Sequence, residues 1–109
     1  MVKRAAIARA MILNPEILFL DEPSAGLDPI SSARLDKLIL SVRETTGAAI
    51  VMVTHELPSI FEIADRILML DRETRSIIAD GNPRFLKNYS KNLQVHDFLN
   101  RKFTESAFL

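Results

Sequence analysis

The sequence contains no cysteine among its 109 residues. Disulfide bonds, thiolate zinc sites and cysteine nucleophiles are therefore excluded, and the composition fits a reducing compartment. The 14 basic and 14 acidic side chains cancel to a net charge of zero. General binders of nucleic acid or of anionic membranes need a surplus of lysine and arginine, so the charge balance disfavours both classes.

Long apolar runs and glycine-rich loops are also missing. The purest apolar stretch, Ala48–Val53, is far shorter than the roughly 20 residues of a membrane-spanning helix. The three glycines are Gly26, Gly47 and Gly81, and none begins the phosphate-binding pattern G-x-x-x-x-G-K-[ST]. With 48% hydrophobic and 26% charged residues, the composition is otherwise typical of one small globular domain.

The hydrophobic pattern predicts an α/β fold in which helices and strands alternate. Two continuous apolar runs, Ile17–Leu20 and Ala48–Val53, predict strands that are buried on both faces of a sheet. The long helical crossover between them makes the two strands parallel. The other predicted elements are a helix at Met1–Leu13, a helix from Pro29 to Gly47, a short helix opened by Pro58, a hairpin of Arg66–Leu70 and Ser76–Ala79, and one or two helices in Pro83–Phe103.

Charged side chains follow both predicted parallel strands. Asp21 and Glu22 come directly after the first strand, and His55 lies just beyond the second. Ligands of open parallel sheets gather outside the carboxyl ends of the strands, so the three side chains form a plausible reaction centre. One carboxylate can hold Mg²⁺, its neighbour can orient or deprotonate a water, and the imidazole can contact a phosphoryl group. An ordinary strand-end turn, with His55 capping the next helix, fits the same spacing.

The residues around these positions resemble the ATPases of ABC transporters. Ile17–Pro29 looks like their Walker B motif and D-loop, Val53–Glu56 looks like their H-loop, and Val2–Ala10 resembles the helix after their signature sequence. The resemblance covers about Met1–Asn82. It implies the carboxyl-terminal part of a P-loop NTPase domain of the ABC type at 1–82, followed by a helical tail at 83–109.

The resemblance also implies roles for individual residues. Asp21 would assist the binding of Mg²⁺ and nucleotide, Glu22 would polarise the hydrolytic water, and His55 would contact the γ-phosphate of ATP. The D-loop residues, which would communicate across a nucleotide-sandwich dimer, are Ser24, Ala25, Gly26, Leu27 and Asp28.

The family places further expectations on the chain. The cofactors would be ATP and Mg²⁺, and the partners a second ATPase subunit and a membrane permease at the cytoplasmic face of the bacterial inner membrane. The P-loop, the Q-loop and the adenine-stacking segment of the family do not occur in the sequence, and the LSGG signature would lie immediately before Met1. We therefore expect the chain alone to be inactive.

Finer features resemble one subgroup, the ATPase of the Mla-type lipid transporters. They lie at Met1–Arg4, Leu27–Ala33, His55–Arg66 and Val95–Lys102. This likeness implies phospholipid transport and adds lipid-binding accessory subunits as partners. Three alternatives stay open: the ATPase of another ABC importer or exporter, a noncatalytic remnant or interaction module, and a small metal-dependent hydrolase that uses Asp21, Glu22 and His55 alone.

Overall fold

The computed structural model describes residues 2–100, and the chain divides between Ile63 and Ala64 into two compact units. In chain order the helices and strands are α1 (Val2–Met11), β1 (Ile17–Asp21), α2 (Pro29–Thr46), β2 (Ala49–Val53), α3 (Leu57–Ile63), β3 (Ile67–Asp71), β4 (Ser76–Gly81), α4 (Pro83–Tyr89) and α5 (Leu93–Asn100). The predicted order of elements is confirmed, and the described part of the tail forms two helices. The part of the predicted tail beyond Asn100 lies outside the described residues. The domain boundary expected after Asn82 stays a prediction.

The first unit is built on the predicted parallel pair of strands. β1 pairs with β2 in a register that places Ile17 opposite Ala49 and Asp21 opposite Val53. α2 provides the crossover between the two strands. The α/β class and the parallel pairing are therefore confirmed, and both strands end at the same edge of the sheet.

The core of the first unit covers one face of this sheet. It is a cluster of buried aliphatic side chains from all three helices and from β1: Ile7, Leu18, Leu35, Ile39 and Ile63. Leu20, Ile50 and Met52 are partly buried and pack against this cluster. Because strand side chains alternate between faces, these residues all come from one side of the two strands.

The opposite face corrects the prediction that both strands are buried on both sides. Phe19 is 71% exposed, and Val51 and Val53 are 47% and 60% exposed. Within residues 2–100 the helices of this unit cover only the face that carries Leu18. The prediction failed because a continuous apolar run does not reveal whether one face or both faces are covered.

Both ends of α2 lie where the sequence predicts, and each end is capped. The Asp28 carboxylate accepts hydrogen bonds from the Ser31 backbone N–H at 2.8 Å and from the Ser31 hydroxyl at 3.0 Å. These bonds lower the pKa of Asp28 below its usual range. At the other end Gly47 adopts the left-handed conformation, with φ of 72°, and its N–H donates to the Arg43 carbonyl. The Asp28 cap sets where α2 begins, and it therefore sets the length of the turn after β1, whereas Gly47 sets where α2 ends.

A buried polar contact joins α2 to α3. Asp36 and Ser59 are only 5% and 2% exposed, and the Ser59 hydroxyl donates to Asp36 Oδ2 at 2.9 Å. Burial raises the pKa of Asp36, the Ser59 hydrogen bond opposes this shift, and the charge of Glu62 adds to it. The contact therefore anchors the helix that follows His55, but its carboxylate is costly to ionise.

The second unit combines a hairpin with two short helices. β3 and β4 are antiparallel, with an irregularity between Met69 and Leu70. The Arg66 guanidinium donates two hydrogen bonds, of 2.6 and 2.7 Å, to the Asp80 carboxylate. Val95 and Leu99 of α5 are buried, with 0% and 2% of their surface exposed.

Among residues 2–100, no helix has the length and apolar character needed to cross a bilayer.

We predict that Asp36→Asn flattens the pH dependence of stability. The raised pKa means that folded Asp36 binds more protons than unfolded Asp36, so the free energy of unfolding falls as the pH rises from about 4 through the folded-state pKa. Asparagine can still accept the Ser59 hydrogen bond and carries no charge. Urea unfolding at pH 4 and at pH 7 should therefore show a smaller fall for Asp36→Asn than for the unchanged chain.

Ser59→Ala is the matched control for this contact. It leaves the Asp36 carboxylate buried without its partner and should cost about 1–3 kcal/mol at pH 7. Asp36→Asn, in contrast, should be at least as stable as the unchanged chain at pH 7. An Asp36→Asn variant that loses more stability at pH 7 than at pH 4 would contradict the assignment of a buried, costly charge.

Candidate active site at the ends of the parallel strands

The chain turns sharply where β1 ends. The Glu22 N–H donates to the Val53 carbonyl at 2.7 Å and extends the parallel ladder by one bond. Glu22 itself has a φ of 45°, in the left-handed region that residues other than glycine rarely adopt. This backbone conformation ends the alternation of the strand and turns the Glu22 side chain toward the segment after β2.

Glu22 and His55 meet at this edge. His55 Nδ1 lies 2.8 Å from Glu22 Oε1, although the two residues are 33 positions apart in the chain. The Glu22 side chain is 30% exposed and the His55 side chain is 74% exposed. The structure thus confirms that the sheet edge brings these two predicted residues together.

The two oxygens of the Glu22 carboxylate have different surroundings. Oε1 is engaged by His55, whereas Oε2 is buried and has no hydrogen-bond partner among residues 2–100. A buried carboxylate oxygen without a partner is costly, so Oε2 is chemically available to a donor. The carboxylate can therefore hold the imidazole with one oxygen and accept a hydrogen bond from a second group with the other.

The contact also decides how the His55 ring is protonated. An ionised carboxylate only accepts hydrogen bonds, so Nδ1 must carry a proton. The hydrogen bond to Glu22 raises the pKa of His55, the charge of Glu22 adds to this effect, and the charge of Glu56 contributes least. Glu56 Oε1 lies 3.8 Å from the other ring nitrogen, Nε2. Nε2 makes no close hydrogen bond there and remains open to a ligand.

Asp21 lies next to this pair but is not joined to it. It is exposed and occupies the last position of β1, on the same side of the strand as Phe19. Within residues 2–100, no cluster of three or more carboxylate, imidazole or thiol groups stands ready to hold a metal ion. Asp21 therefore offers a single carboxylate at the sheet edge.

The predicted D-loop residues form the turn between β1 and α2. The Ala25 N–H donates to the Glu22 carbonyl and the Leu27 N–H donates to the Ser24 carbonyl, each at 3.1 Å. Ser24 is buried, Leu27 packs against the core and Ala25 is exposed. Gly26 has a φ of 79°, which any side chain would strain, although a Cβ there would meet nothing. Asp28 closes the turn as the cap of α2.

Sequence reasoning did not identify Lys3 as part of this region. Lys3 Nζ donates to the Ala25 carbonyl at 2.9 Å and lies 3.5 Å from the Glu22 carbonyl. The left-handed conformation of Glu22 was also not foreseen. No local signal announces either feature, because both depend on the way α1 packs beside the end of β1.

We predict that Glu22→Gln lowers the pKa of His55. Glutamine can still accept from Nδ1 but has no charge to stabilise the imidazolium, so the pKa should return toward 6.5, the ordinary value. Because the folded-state pKa is raised, this contact stabilises the fold fully below the unfolded pKa, and its contribution is lost as the pH rises through the folded pKa. An NMR titration of the His55 ring measures the shift.

Glu56→Gln is the matched control for this titration. It removes a carboxylate from the other side of the same ring, where the contact is longer, and should move the His55 pKa less than Glu22→Gln does. An equal or larger effect of Glu56→Gln would contradict the assignment of Glu22 as the main partner of His55.

The chain is similar in sequence to several curated proteins. No family model matches the chain. The chain is 43% identical over 86 residues to the zinc import ATP-binding protein ZnuC of Cereibacter sphaeroides, covering 79% of the chain and 34% of that protein. It is 38% identical over 99 residues to the arginine transport ATP-binding protein ArtM of Bacillus subtilis, covering 91% of the chain and 40% of that protein.

The fold has a counterpart among solved structures. The structure of cbiO1 from Clostridium perfringens, described as part of the ABC transporter complex cbiONQ, superposes with a TM-score of 0.72. The match has 24% sequence identity and covers 97% of this chain and 41% of cbiO1. The chain thus spans between a third and about two fifths of the length of these proteins.

The relatives carry different substrates in their names, so they support the general resemblance and do not single out the Mla-type subgroup. The chain is a homologue of part of the ATP-binding subunits of ABC transporters, and it has the α/β fold of that ATPase.

Proposed function

We propose that the chain is the carboxyl-terminal part of an ABC transporter ATPase, in which Glu22 and His55 help to catalyse the hydrolysis of ATP. The observation that carries this proposal is the hydrogen bond between His55 Nδ1 and Glu22 Oε1, together with the buried, unpartnered Oε2 of the same carboxylate. Each of the two side chains keeps one polar atom for a further ligand.

Glu22 has the position of a group that orients a water molecule. Its Oε1 is fixed by His55, so the carboxylate cannot rotate freely. Oε2 is buried and has no partner among the described residues, so it would accept a hydrogen bond from water once the site opens to admit one. A positioned carboxylate that takes a proton in the transition state contributes about 10²–10⁴-fold to a rate. These observations support a role for Glu22 in polarising the attacking water.

His55 has the position of a phosphate contact. Its Nδ1 is held by Glu22 while its ring is 74% exposed, so Nε2 is accessible from solvent. The carboxylate that raises the His55 pKa also favours the imidazolium, which donates from both nitrogens. A donor aimed at the γ-phosphate stabilises the negative charge that is redistributed in the transition state.

Asp21 is suited to a Mg²⁺ ion that is also bound by water and phosphate. It is less suited to a metal site made entirely of protein side chains. Magnesium usually keeps several waters and binds one or two carboxylates together with substrate phosphates. A single exposed carboxylate beside Glu22 matches that need, whereas residues 2–100 contain no cluster of three ligands. Mg²⁺ would supply positive charge to the phosphates when bound with ATP.

The proposal extends to partners and location. Ser24–Asp28 would form the surface that communicates with a second ATPase subunit, and the assembly would bind a membrane permease at the cytoplasmic face of the inner membrane. Support comes from cbiO1, which is described as part of a transporter complex. The domain would end near Asn82, and the tail after it would be an addition to the ATPase core.

The transported substrate is proposed on narrower grounds. Phospholipid transport, with lipid-binding accessory subunits, rests on the sequence likeness of Leu27–Ala33 and His55–Arg66 to the Mla-type ATPases. The names of the relatives give zinc and arginine instead, so they support transport by an ABC system without supporting this cargo.

We predict that the 109-residue chain neither hydrolyses ATP nor binds it tightly, because its sequence has no G-x-x-x-x-G-K-[ST] pattern to hold the phosphates.

In a complete ATPase subunit that contains this sequence, Glu22→Gln should lower kcat about 10²–10⁴-fold. ATP binding should remain, since the amide keeps the shape of the carboxylate. Steady-state hydrolysis and equilibrium nucleotide binding measure the two effects separately.

Glu16→Gln is the matched control, because Glu16 is exposed and precedes the opposite end of β1. It should leave hydrolysis unchanged, while His55→Ala should reduce it. Glu22→Gln with full hydrolysis would overturn the assignment of Glu22 as the residue that polarises the attacking water. Loss of ATP binding together with turnover would instead assign Glu22 to nucleotide binding.

A further inference from the structure

Lys3 connects α1 to the turn that carries Glu22. It lies in the first turn of α1 and is half-buried. Its ammonium donates to the Ala25 carbonyl at 2.9 Å and approaches the Glu22 carbonyl at 3.5 Å. These contacts join residues that are 22 and 19 positions apart. One side chain therefore spans the start and the middle of the turn after β1.

The turn needs such a support because its backbone is unfavourable at two positions. Glu22 and Gly26 both have positive φ, and Glu22 has a Cβ that makes this conformation costly. Residues held in this region persist only where the surrounding structure determines their conformation. On one side, the Glu22 N–H is held by the Val53 carbonyl at 2.7 Å. On the other side, the Glu22 carbonyl accepts a hydrogen bond from the Ala25 N–H at 3.1 Å, and Lys3 Nζ lies 3.5 Å from the same oxygen while it donates to the Ala25 carbonyl at 2.9 Å.

The chemistry of lysine fits this task. An ammonium has three donors and no acceptor, so it can serve two carbonyls at once. Hydrogen bonds from a charged donor are roughly twice as strong as those between neutral groups. Lys3 is thus suited to fixing backbone carbonyls that no helix or strand satisfies.

We infer that Lys3 is a positioning residue: by holding the Glu22 and Ala25 carbonyls it keeps the Glu22 carboxylate in contact with His55. The inference rests on the proposed function, because it gives Lys3 a part in the same site. Lys3 touches neither the carboxylate nor the imidazole and acts only through the backbone of the turn. Without it, Glu22 would be free to return to negative φ, and Oε1 would leave Nδ1.

The tautomer of neutral His55 reports this contact directly. In the chain as described, Glu22 requires the proton on Nδ1, so the ring should carry Nδ1–H when it is neutral. Long-range ¹H–¹⁵N NMR of the histidine-labelled chain, at a fixed pH well above the imidazole pKa, distinguishes Nδ1–H from Nε2–H. The measurement does not depend on ATP hydrolysis.

We expect Lys3→Met to lower the ratio of Nδ1–H to Nε2–H about tenfold, the size of effect that the loss of one hydrogen bond produces. Methionine keeps the apolar stem and removes the donors. Lys3→Arg restores donors and should keep the ratio of the unchanged chain. Arg4→Met is the matched control, since Arg4 is the next residue of α1 and is exposed; it should have no effect.

Each other result overturns a defined part of the inference. An unchanged ratio in Lys3→Met, with Nδ1–H dominant in the unchanged chain, would refute the role of Lys3 and leave the Glu22–His55 pair standing. Dominance of Nε2–H in the unchanged chain would refute that pair, and the role of Lys3 with it.

Two further results would also refute the positioning role. Lys3→Arg behaving like Lys3→Met would show that donors at this position do not matter, and Arg4→Met behaving like Lys3→Met would assign the effect to charge in general. Amide exchange of β1 and β2 supplies the last readout and should be unchanged in Lys3→Met. Faster exchange throughout both strands would show general destabilisation in place of positioning.

Discussion

The site depends on the register between β1 and β2. Asp21 lies opposite Val53, and the Glu22 N–H then bonds to the Val53 carbonyl, so both strands end at the same level. A slip of one residue would reverse the faces of a whole strand, because strand side chains alternate with a period of two. The buried side chain of Leu18 opposes such a slip, since it would move to the uncovered face. Core packing on one face therefore determines which side chains meet at the edge.

The left-handed turn at Glu22 uses this register to bring the Glu22 carboxylate to His55. A regular continuation of β1 would keep its side chains alternating between the two faces of the sheet. The positive φ costs about 1–2 kcal/mol for a residue with a Cβ. Its N–H is held by Val53 and its carbonyl by the Ala25 N–H, with Lys3 beside it, while Ser24 is buried two residues later. Local strain of this kind persists where several neighbours fix it together, and such places are often functional sites.

The sequence was sufficient to predict some of these features and insufficient for others. The ends of α2 were predictable because Asp28, Pro29 and Gly47 act through local backbone chemistry. The meeting of Glu22 and His55 was predictable because the ends of parallel strands share an edge. Coverage of the sheet was not predictable, since apolar runs look alike whether one face or both are packed. The left-handed Glu22 and the contact of Lys3 depend on packing between distant segments, which no local pattern encodes.

ATP hydrolysis requires two tasks: orienting the attacking water and neutralising the charge of the triphosphate. Glu22 and His55 can orient water and offer a donor, but neutralising a triphosphate needs cationic groups and converging amides. Lys3 is close in space to Glu22, yet its ammonium is committed to two backbone carbonyls. Moving it to a phosphate would release the turn that positions Glu22. If Lys3 has the positioning role inferred above, it serves the geometry of the turn, and under the proposed function the phosphates would be bound by groups other than Lys3.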